Sequence, residues 1–426
     1  MSKSDPRTVA FELLVSVLHE KRPFDDALAS HRRLKGMPPR DRALARLLAA
    51  TVLRRLPELD TMIAPLLNKP LRGQARIVQN LLRLGAAQFV FLDTPAHAVV
   101  STTVAAAQSS GQRAYKGLIN AVLRRLTSET ITPAANPAKM NVPDWLWKSW
   151  ADAYGAETAT AIAEAHLRES ALDITVKSDP EAWAEKLEAE LLPTGSLRRA
   201  AGGDIRALPG FDDGAWWIQD AAAALPVALL NPSPGQTIVD MCAAPGGKTA
   251  QLAAAGANVH AVDISEKRMK QVKDNLWRLR LKAQRTVADA AEWMPEAPVD
   301  AVLLDAPCSG TGTIRRHPDI ARLKKPADIQ RLTEIQDRLL THCADILRPG
   351  GLLVYATCSL QPEEGSERIE KLLANGAPLE RVPVTAAELP GLESAITANG
   401  EVRTLPSHWA ERGGLDGFFI ARLKRV

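Results

Sequence analysis

The chain has 426 residues, 46% of them hydrophobic, enough for two or three domains with proper cores and too apolar for a disordered polymer. No apolar run free of Arg, Asp or Glu reaches the length of a membrane span, and the opening residues 1–6 lack the apolar core of a signal peptide. The net charge of +4 conceals an asymmetry: residues 1–130 carry 20 Lys and Arg against 10 Asp and Glu, and the remainder carries 33 against 39. A basic module joined to a mildly acidic one points to a polyanion gripped at the N-terminal end. The four cysteines, at 242, 308, 343 and 358, contain no CxxC pair. That spacing excludes a disulfide framework and a zinc knuckle, so no metal is expected, and it fits a reducing cytoplasm.

In chain order, residues 6–130 read as all-helical. Val9, Leu13, Leu14, Val17 and Leu18 recur at helical spacing, as do Leu44, Leu47, Leu48, Val52 and Leu53 after Pro38-Pro39. Further helices fit 77–91, 96–108 and 116–127, which makes a bundle with short loops. His97 reads as a helix-start or packing residue. A Pro- and Ala-rich linker follows at 130–141, and then a helix at 143–150 whose tryptophans pack against a neighbouring domain. Residues 171–215 combine a β-like run at 172–176 with a helix at 180–191, a small α+β domain. An apolar helix fits 221–230.

From Gly235 strands and helices alternate regularly. Strands fit 237–240, 259–263, 285–288, 301–305 and 352–356, with a helix at 328–347 closed by Gly350-Gly351. Cys343 lies in the apolar stripe of that helix and reads as a core residue. This order implies a parallel sheet with ligands at the carboxyl ends of its strands.

The first strand runs into Asp240-Met-Cys-Ala-Ala-Pro-Gly-Gly-Lys-Thr249. Two glycines before a helix let backbone N–H groups approach a ligand closely. The spacing is neither GxGxxG nor the phosphate loop GxxxxGK[ST], so a nucleoside without a pyrophosphate fits, and S-adenosylmethionine is the obvious one. Asp263 ends the second strand, where a carboxylate accepts hydrogen bonds from ribose hydroxyls. Asp289 follows the third strand, where it can meet an adenine amino group. The fourth and fifth strands end in Asp305-Ala-Pro-Cys-Ser-Gly-Thr-Gly312 and Tyr355-Ala-Thr-Cys-Ser359. Two thiols beside an acid and glycine turns fit covalent attack on carbon 6 of a pyrimidine, which activates carbon 5 for methylation. Asp305 is available to stabilise charge at ring nitrogen 3. The residues alone do not rank Cys308 against Cys358.

These stretches, with Arg315-Arg-His-Pro-Asp319 and the ending Gly414-Leu-Asp-Gly-Phe-Phe419, resemble the Sun/RsmB-type RNA (cytosine-5)-methyltransferases. Leu81-Leu-Arg-Leu-Gly85, Phe91-Leu-Asp-Thr-Pro-Ala-His97 and Gly117-Leu-Ile-Asn-Ala-Val-Leu-Arg-Arg125 resemble the NusB-like RNA-binding domain. The resemblance implies a NusB-like helical bundle over 1–130, a linker and small α+β domain over 131–230, and an α/β Rossmann-like methyltransferase domain with a mostly parallel sheet over 231–426. It implies S-adenosylmethionine held by Cys242, Ala243, Ala244, Pro245, Gly246, Gly247, Lys248, Asp263, Asp289 and Asp305. It implies Cys358 as nucleophile and Cys308 as the thiol that aids release, with Asp305 and Lys248 completing the catalytic set. The implied substrate is small-subunit ribosomal RNA, with Arg315, Arg316 and His317 as RNA ligands; the chain is read as a monomer without a membrane partner. Three features depart from the family pattern: Gly365 follows Pro362-Glu-Glu364 where Asn is usual, Ala223 stands where Ser is usual, and the Arg-Val-Asn run of the middle domain is not evident near Thr175-Val-Lys177. Two rival readings are an RNA-binding assembly factor without catalysis and a DNA cytosine methyltransferase.

Overall fold

The computed structural model describes residues 5–129 and 134–426 and divides the chain into two compact units. The first comprises Met1–Ala151, Ala159–Leu167 and Arg316–Lys324. Its main helices are Pro6–Leu18, Pro39–Arg54, Leu56–Ile63, Gln79–Phe91, Ala96–Ser109 and Lys116–Ser128. Asp5 caps the first of them by accepting from the N–H of Arg7 at 3.0 Å, and Pro6 fits the first turn because its missing N–H is not needed there. Val9, Leu13, Val17, Leu48, Val52, Leu81 and Leu123 form a buried core from the apolar stripes of four helices. His97 is exposed in the first turn of its helix. Trp150 is fully buried and meets the ring of His166 edge-on at 5.4 Å, inside this unit. Residues 130–133 of the expected linker lie outside the described residues.

The segment Arg316–Lys324 belongs to this helical unit, although it follows a strand-end motif in sequence. Asp319 accepts the backbone N–H of Phe24 at 2.9 Å, and Arg322 donates to the carbonyls of Leu53 and Asn141 at 3.1 and 2.7 Å.

The second unit holds two sheets. Strands β1 (Leu172–Val176), β2 (Glu190–Leu191), β3 (Leu197–Arg199) and β4 (Trp216–Ile218) form an antiparallel sheet in the order β2-β3-β1-β4. The helix expected over 180–191 stops at Lys186, and Glu190–Leu191 pairs with β3 instead, because the pair completes a sheet edge. The larger sheet contains β5 (Thr237–Met241), β6 (Asn258–Asp263), β7 (Gln284–Val287), β8 (Val299–Asp305), β9 (Leu347–Thr357), β10 (Leu379–Arg381), β11 (Val402–Arg403) and β12 (Phe419–Arg425). Its order is β10-β12-β9-β8-β5-β6-β7, with β11 also on β12. β5 to β9 pair in parallel, whereas β12 is antiparallel to β9, β10 and β11. Gly350-Gly351 does not close the helix Pro326–Ile346 but lies within β9, where the register with β8 shifts. Cys343 is fully buried among Val302, Leu304 and Leu353. No helix among the described residues is long and apolar enough to cross a membrane.

Candidate active site

The parallel strands order themselves outward from β5, with β6 and β7 on one side and β8 and β9 on the other. Such a reversal opens a crevice at the carboxyl ends of the strands. Asp240, Asp263, Asp289, Asp305, Cys308 and Cys358 lie at or just past those ends.

After β5 the chain turns sharply. Cys242 adopts φ 61° and Gly246 φ 100°, and a Cβ at Gly246 would stand 3.2 Å from Val272, so the turn requires glycine there. The helix Gly247–Ala254 begins without a side-chain cap, leaving its first N–H groups for a ligand. Asp263 is buried and holds the same turn: it accepts the N–H of Ala244 at 3.1 Å and that of Ser265 at 2.9 Å, with Arg268 at 3.6 Å. Asp289 accepts from the N–H of Ala291 and pairs with Arg338 at 3.0 Å. Burial, together with the charges of Asp305 and Asp263, pushes the carboxyl of Asp240 up to about 7; its Oδ2 accepts from Thr249 at 2.5 Å and its Oδ1 has no hydrogen-bond partner among the described residues. The uncapped helix, the glycine cradle and three carboxylates without a basic phosphate cluster fit a nucleoside with a cationic tail. No group of His, Cys, Asp or Glu suited to a metal ion occurs among the described residues.

On the other side of β5, Lys248 Nζ binds Asp305 Oδ2 at 2.7 Å and lies 5.3 Å from the ring centroid of Phe418. Cys308 and Cys358 meet with Sγ atoms 3.4 Å apart. The sequence puts them 50 residues apart, and the pairing of Asp305 with Ala356 brings the two strand ends together. The hydrogen bond with Cys358, then burial, then the Cys358 and Glu364 charges push the Cys308 thiol well above its ordinary range. Gly312 donates its N–H to the Cys358 carbonyl at 3.0 Å and accepts that of Gly417 at 2.8 Å. A Cβ at Gly312 would stand 1.9 Å from the Gly417 carbonyl, so no side chain fits there.

Sequence reasoning missed the support beneath the thiols. Glu364 is fully buried and accepts from the N–H of Ser309 at 2.9 Å, its hydroxyl at 2.5 Å, the hydroxyl of Ser359 at 2.6 Å and Gln336 Nε2 at 3.2 Å. One carboxylate therefore ties together the two serines that follow the two cysteines. The only sequence signal was the Pro-Glu-Glu run, and nothing in it tells which strand ends Glu364 binds. Glu364→Ala removes the shared acceptor of four donor contacts in a buried site and leaves the Ser309 N–H without its carboxylate. We expect it to lower the unfolding free energy by about 2–5 kcal/mol and to slow catalysis, checked by urea unfolding and by turnover at saturating substrate.

Arg315 requires a correction. The sequence places it on a basic turn facing RNA, but it is 1% exposed. Its guanidinium donates to Asp220 at 2.8 Å, Asp416 at 3.4 Å and the Gly413 carbonyl at 2.9 Å. Two buried carboxylates distant in sequence draw the charge inward, because a carboxylate taken out of water requires a partner. Arg315→Ala should cost about 3–5 kcal/mol of stability by leaving those acids uncompensated, readable as a lower urea midpoint at unchanged slope. Arg316 and His317 are partly exposed, and His317 Nδ1 lies 3.2 Å from Asp25, whose carboxyl it holds below its usual range.

Comparison with known proteins gives consistent results. Residues 227–424 match the family model for the 16S rRNA methyltransferase RsmB/F, and residues 4–128 match that of the NusB family. The chain is 36% identical to the ribosomal RNA small subunit methyltransferase B of Vibrio vulnificus over 437 aligned positions, covering 98% of each chain. It is 38% identical to the protein of the same name from Cronobacter sakazakii, covering 90% of each. Among solved structures, a methyltransferase homologue from Pyrococcus horikoshii superposes with a TM-score of 0.55 at 28% identity, covering 66% of this chain and 94% of that one. The fold of PH0851 matches across 99% of both chains, with a TM-score of 0.79 at 23% identity. With full-length relatives at this identity and both domain models in place, the chain belongs to the RsmB/F family of 16S rRNA methyltransferases.

Proposed function

We propose that the protein methylates carbon 5 of a cytosine in small-subunit ribosomal RNA through a covalent bond to Cys358. The observation that carries this reading is the pair of thiols 3.4 Å apart at the strand ends beside Asp305. S-adenosylmethionine is the methyl donor; bound at Asp263, Asp289, Asp305 and the 242–248 turn, it supplies an electrophilic methyl group.

The Cys358 thiolate adds to carbon 6 of the ring, and the electrons of the carbon 5–carbon 6 double bond shift so that carbon 5 becomes nucleophilic. The Lys248–Asp305 pair meets the ring edge at nitrogen 3, where the Lys248 ammonium offsets the negative charge that develops. After carbon 5 has taken its methyl group, a base removes the proton left there. The double bond re-forms, the carbon–sulfur bond breaks, and Cys358 leaves as a thiolate.

The environment of Cys308 supports this division of labour. While Cys358 is a free sulfur beside it, Cys308 stays protonated. Its sulfur lies 3.4 Å from that of Cys358, so it is the thiol beside any adduct Cys358 forms and is assigned to take the carbon-5 proton.

A target base must leave its stack to reach these thiols, which favours a loop or bulge in RNA. The basic helical unit supplies affinity for the phosphate backbone, Arg316 and His317 contribute at its edge, and the enzyme works in the cytoplasm. Methyl transfer to unmodified small-subunit rRNA and to duplex DNA tests the reading. Transfer to the RNA alone is expected. Transfer to DNA, or RNA binding with no transfer, would favour one of the rivals.

A further inference from the structure

One face of the catalytic unit has a charge unlike the rest of it. Residues 131–426 carry more acid than base, yet residues 266–285 hold eight Lys and Arg against two carboxylates, Glu266 and Asp274. The helix Glu266–Arg278 buries Met269, Val272 and Leu276. Lys270, Lys273 and Trp277 recur at helical spacing on the opposite side and are exposed. Arg280 and Lys282 follow the helix, and Arg285 lies on β7, the edge strand; all three are exposed.

Arg268 and Arg278 are among the basic residues of the stretch that are engaged with the protein. Arg268 approaches Asp263, and Arg278 donates to the carbonyls of Phe211 and Trp216. Lys270, Lys273, Arg280, Lys282 and Arg285 form no ion pair among the described residues. Positive charge is dense enough here that Lys177, bound to the Leu279 carbonyl, is pushed below its ordinary value by burial and by Arg280 and Arg278.

A solvated helix face accounts for the lysines but not for Trp277. At 82% exposed it is the most exposed large apolar side chain among the described residues. A bare aromatic ring flanked by unpaired cations is the combination that binds single-stranded nucleic acid, the ring stacking on a base and the cations on its phosphates. The helix leaves the strand-end rim at Asp263 and runs back along the sheet, so Trp277 lies about 17 Å further along it than Glu266 at 1.5 Å per residue.

We propose that Lys270, Lys273, Trp277, Arg280, Lys282 and Arg285 form an RNA-docking surface on the catalytic unit, which holds a single-stranded stretch of the substrate away from the reacting cytosine. The proposal rests on the reading of RNA as substrate. It assigns Trp277 to stacking and the cations to the backbone, neither of which touches the reacting atoms.

The test uses the full chain, with Trp277→Ala and the double variant Lys270→Glu/Lys273→Glu, and unmodified small-subunit rRNA as the probe. Filter binding across a salt series gives the affinity and its salt slope. Trp277→Ala is expected to weaken binding roughly 5- to 100-fold, the range for loss of one stacked base. The double variant is expected to flatten the log–log salt slope by about 1.4–1.8. Turnover at saturating RNA and affinity for S-adenosylhomocysteine should stay at wild-type values in both. Unchanged RNA affinity in both variants overturns the proposal. So does unchanged affinity for naked RNA with weakened binding to the protein-bearing small subunit, which would assign the face to a protein. Failure of the parent reading looks different: the wild-type protein itself would neither bind nor methylate the RNA.

Discussion

Cys358→Ala should abolish methylation and form no bond to RNA, whereas Cys308→Ala should accumulate a protein–RNA complex that survives denaturing electrophoresis. The two thiols touch, yet the proposed mechanism gives them different steps. Attack requires a sulfur that becomes bonded to carbon 6, and without Cys358 the ring is never activated. Release requires a base for the carbon-5 proton, and without Cys308 the methylated adduct has no route to elimination. Loss of the attacking sulfur should lower the rate by at least about a thousand-fold, since it removes the nucleophile that activates carbon 5. Cys308→Ala leaves the hydrogen bonds that Glu364 makes to Ser309 and Ser359 in place, so the strand ends should keep their positions. Adduct in Cys358→Ala and none in Cys308→Ala would reverse the roles. Full activity in both would remove the thiol mechanism.

Asp263→Ala should weaken S-adenosylhomocysteine binding by about a hundred-fold or more in calorimetry, with RNA affinity unchanged. Charge-assisted hydrogen bonds are worth roughly 1.5–3 kcal/mol each, and a carboxylate spanning two ribose hydroxyls makes two of them. The substitution also releases the N–H of Ala244, so the 242–246 turn loses a fastening. Both effects act on the cofactor and neither on the RNA. Asp263→Asn keeps the shape and loses the charge, and it should fall between alanine and wild type. Wild-type affinity in Asp263→Ala would rule out the ribose role.

Much of the architecture was legible because it rests on local patterns. Leu44, Leu48 and Val52 reveal a helix by their spacing alone, and the apolar runs ending in Asp263 and Asp305 reveal parallel strands and where each ends. The antiparallel edge was not legible. β10 and β11 are short, and β12 becomes a strand by pairing with β9, which no local pattern encodes. Gly350-Gly351 resembles a helix stop, and it became a strand irregularity because β9 pairs with β8 on both sides of it.

At the candidate site, the sequence exposed the groups at the strand ends and hid the ones that brace them. Cys308 and Cys358 announce themselves by similar neighbours. Their bracing by Glu364 depends on a fold that joins Ser309 to a residue 55 positions later. Arg315 reads as a surface cation because its neighbours in sequence are Arg316 and His317. Its partners in space, Asp220 and Asp416, are 95 and 101 positions away.

The most direct measurement follows the hydrogen on carbon 5. With small-subunit rRNA carrying tritium at carbon 5 of cytosine and S-adenosylmethionine carrying a labelled methyl group, tritium release and methyl incorporation are counted in the same reaction. Attack at carbon 6 with methylation of carbon 5 predicts that tritium leaves in step with each methyl group gained, and that both stop in Cys358→Ala. Methyl incorporation without tritium release would place the methyl group on another atom and contradict the account.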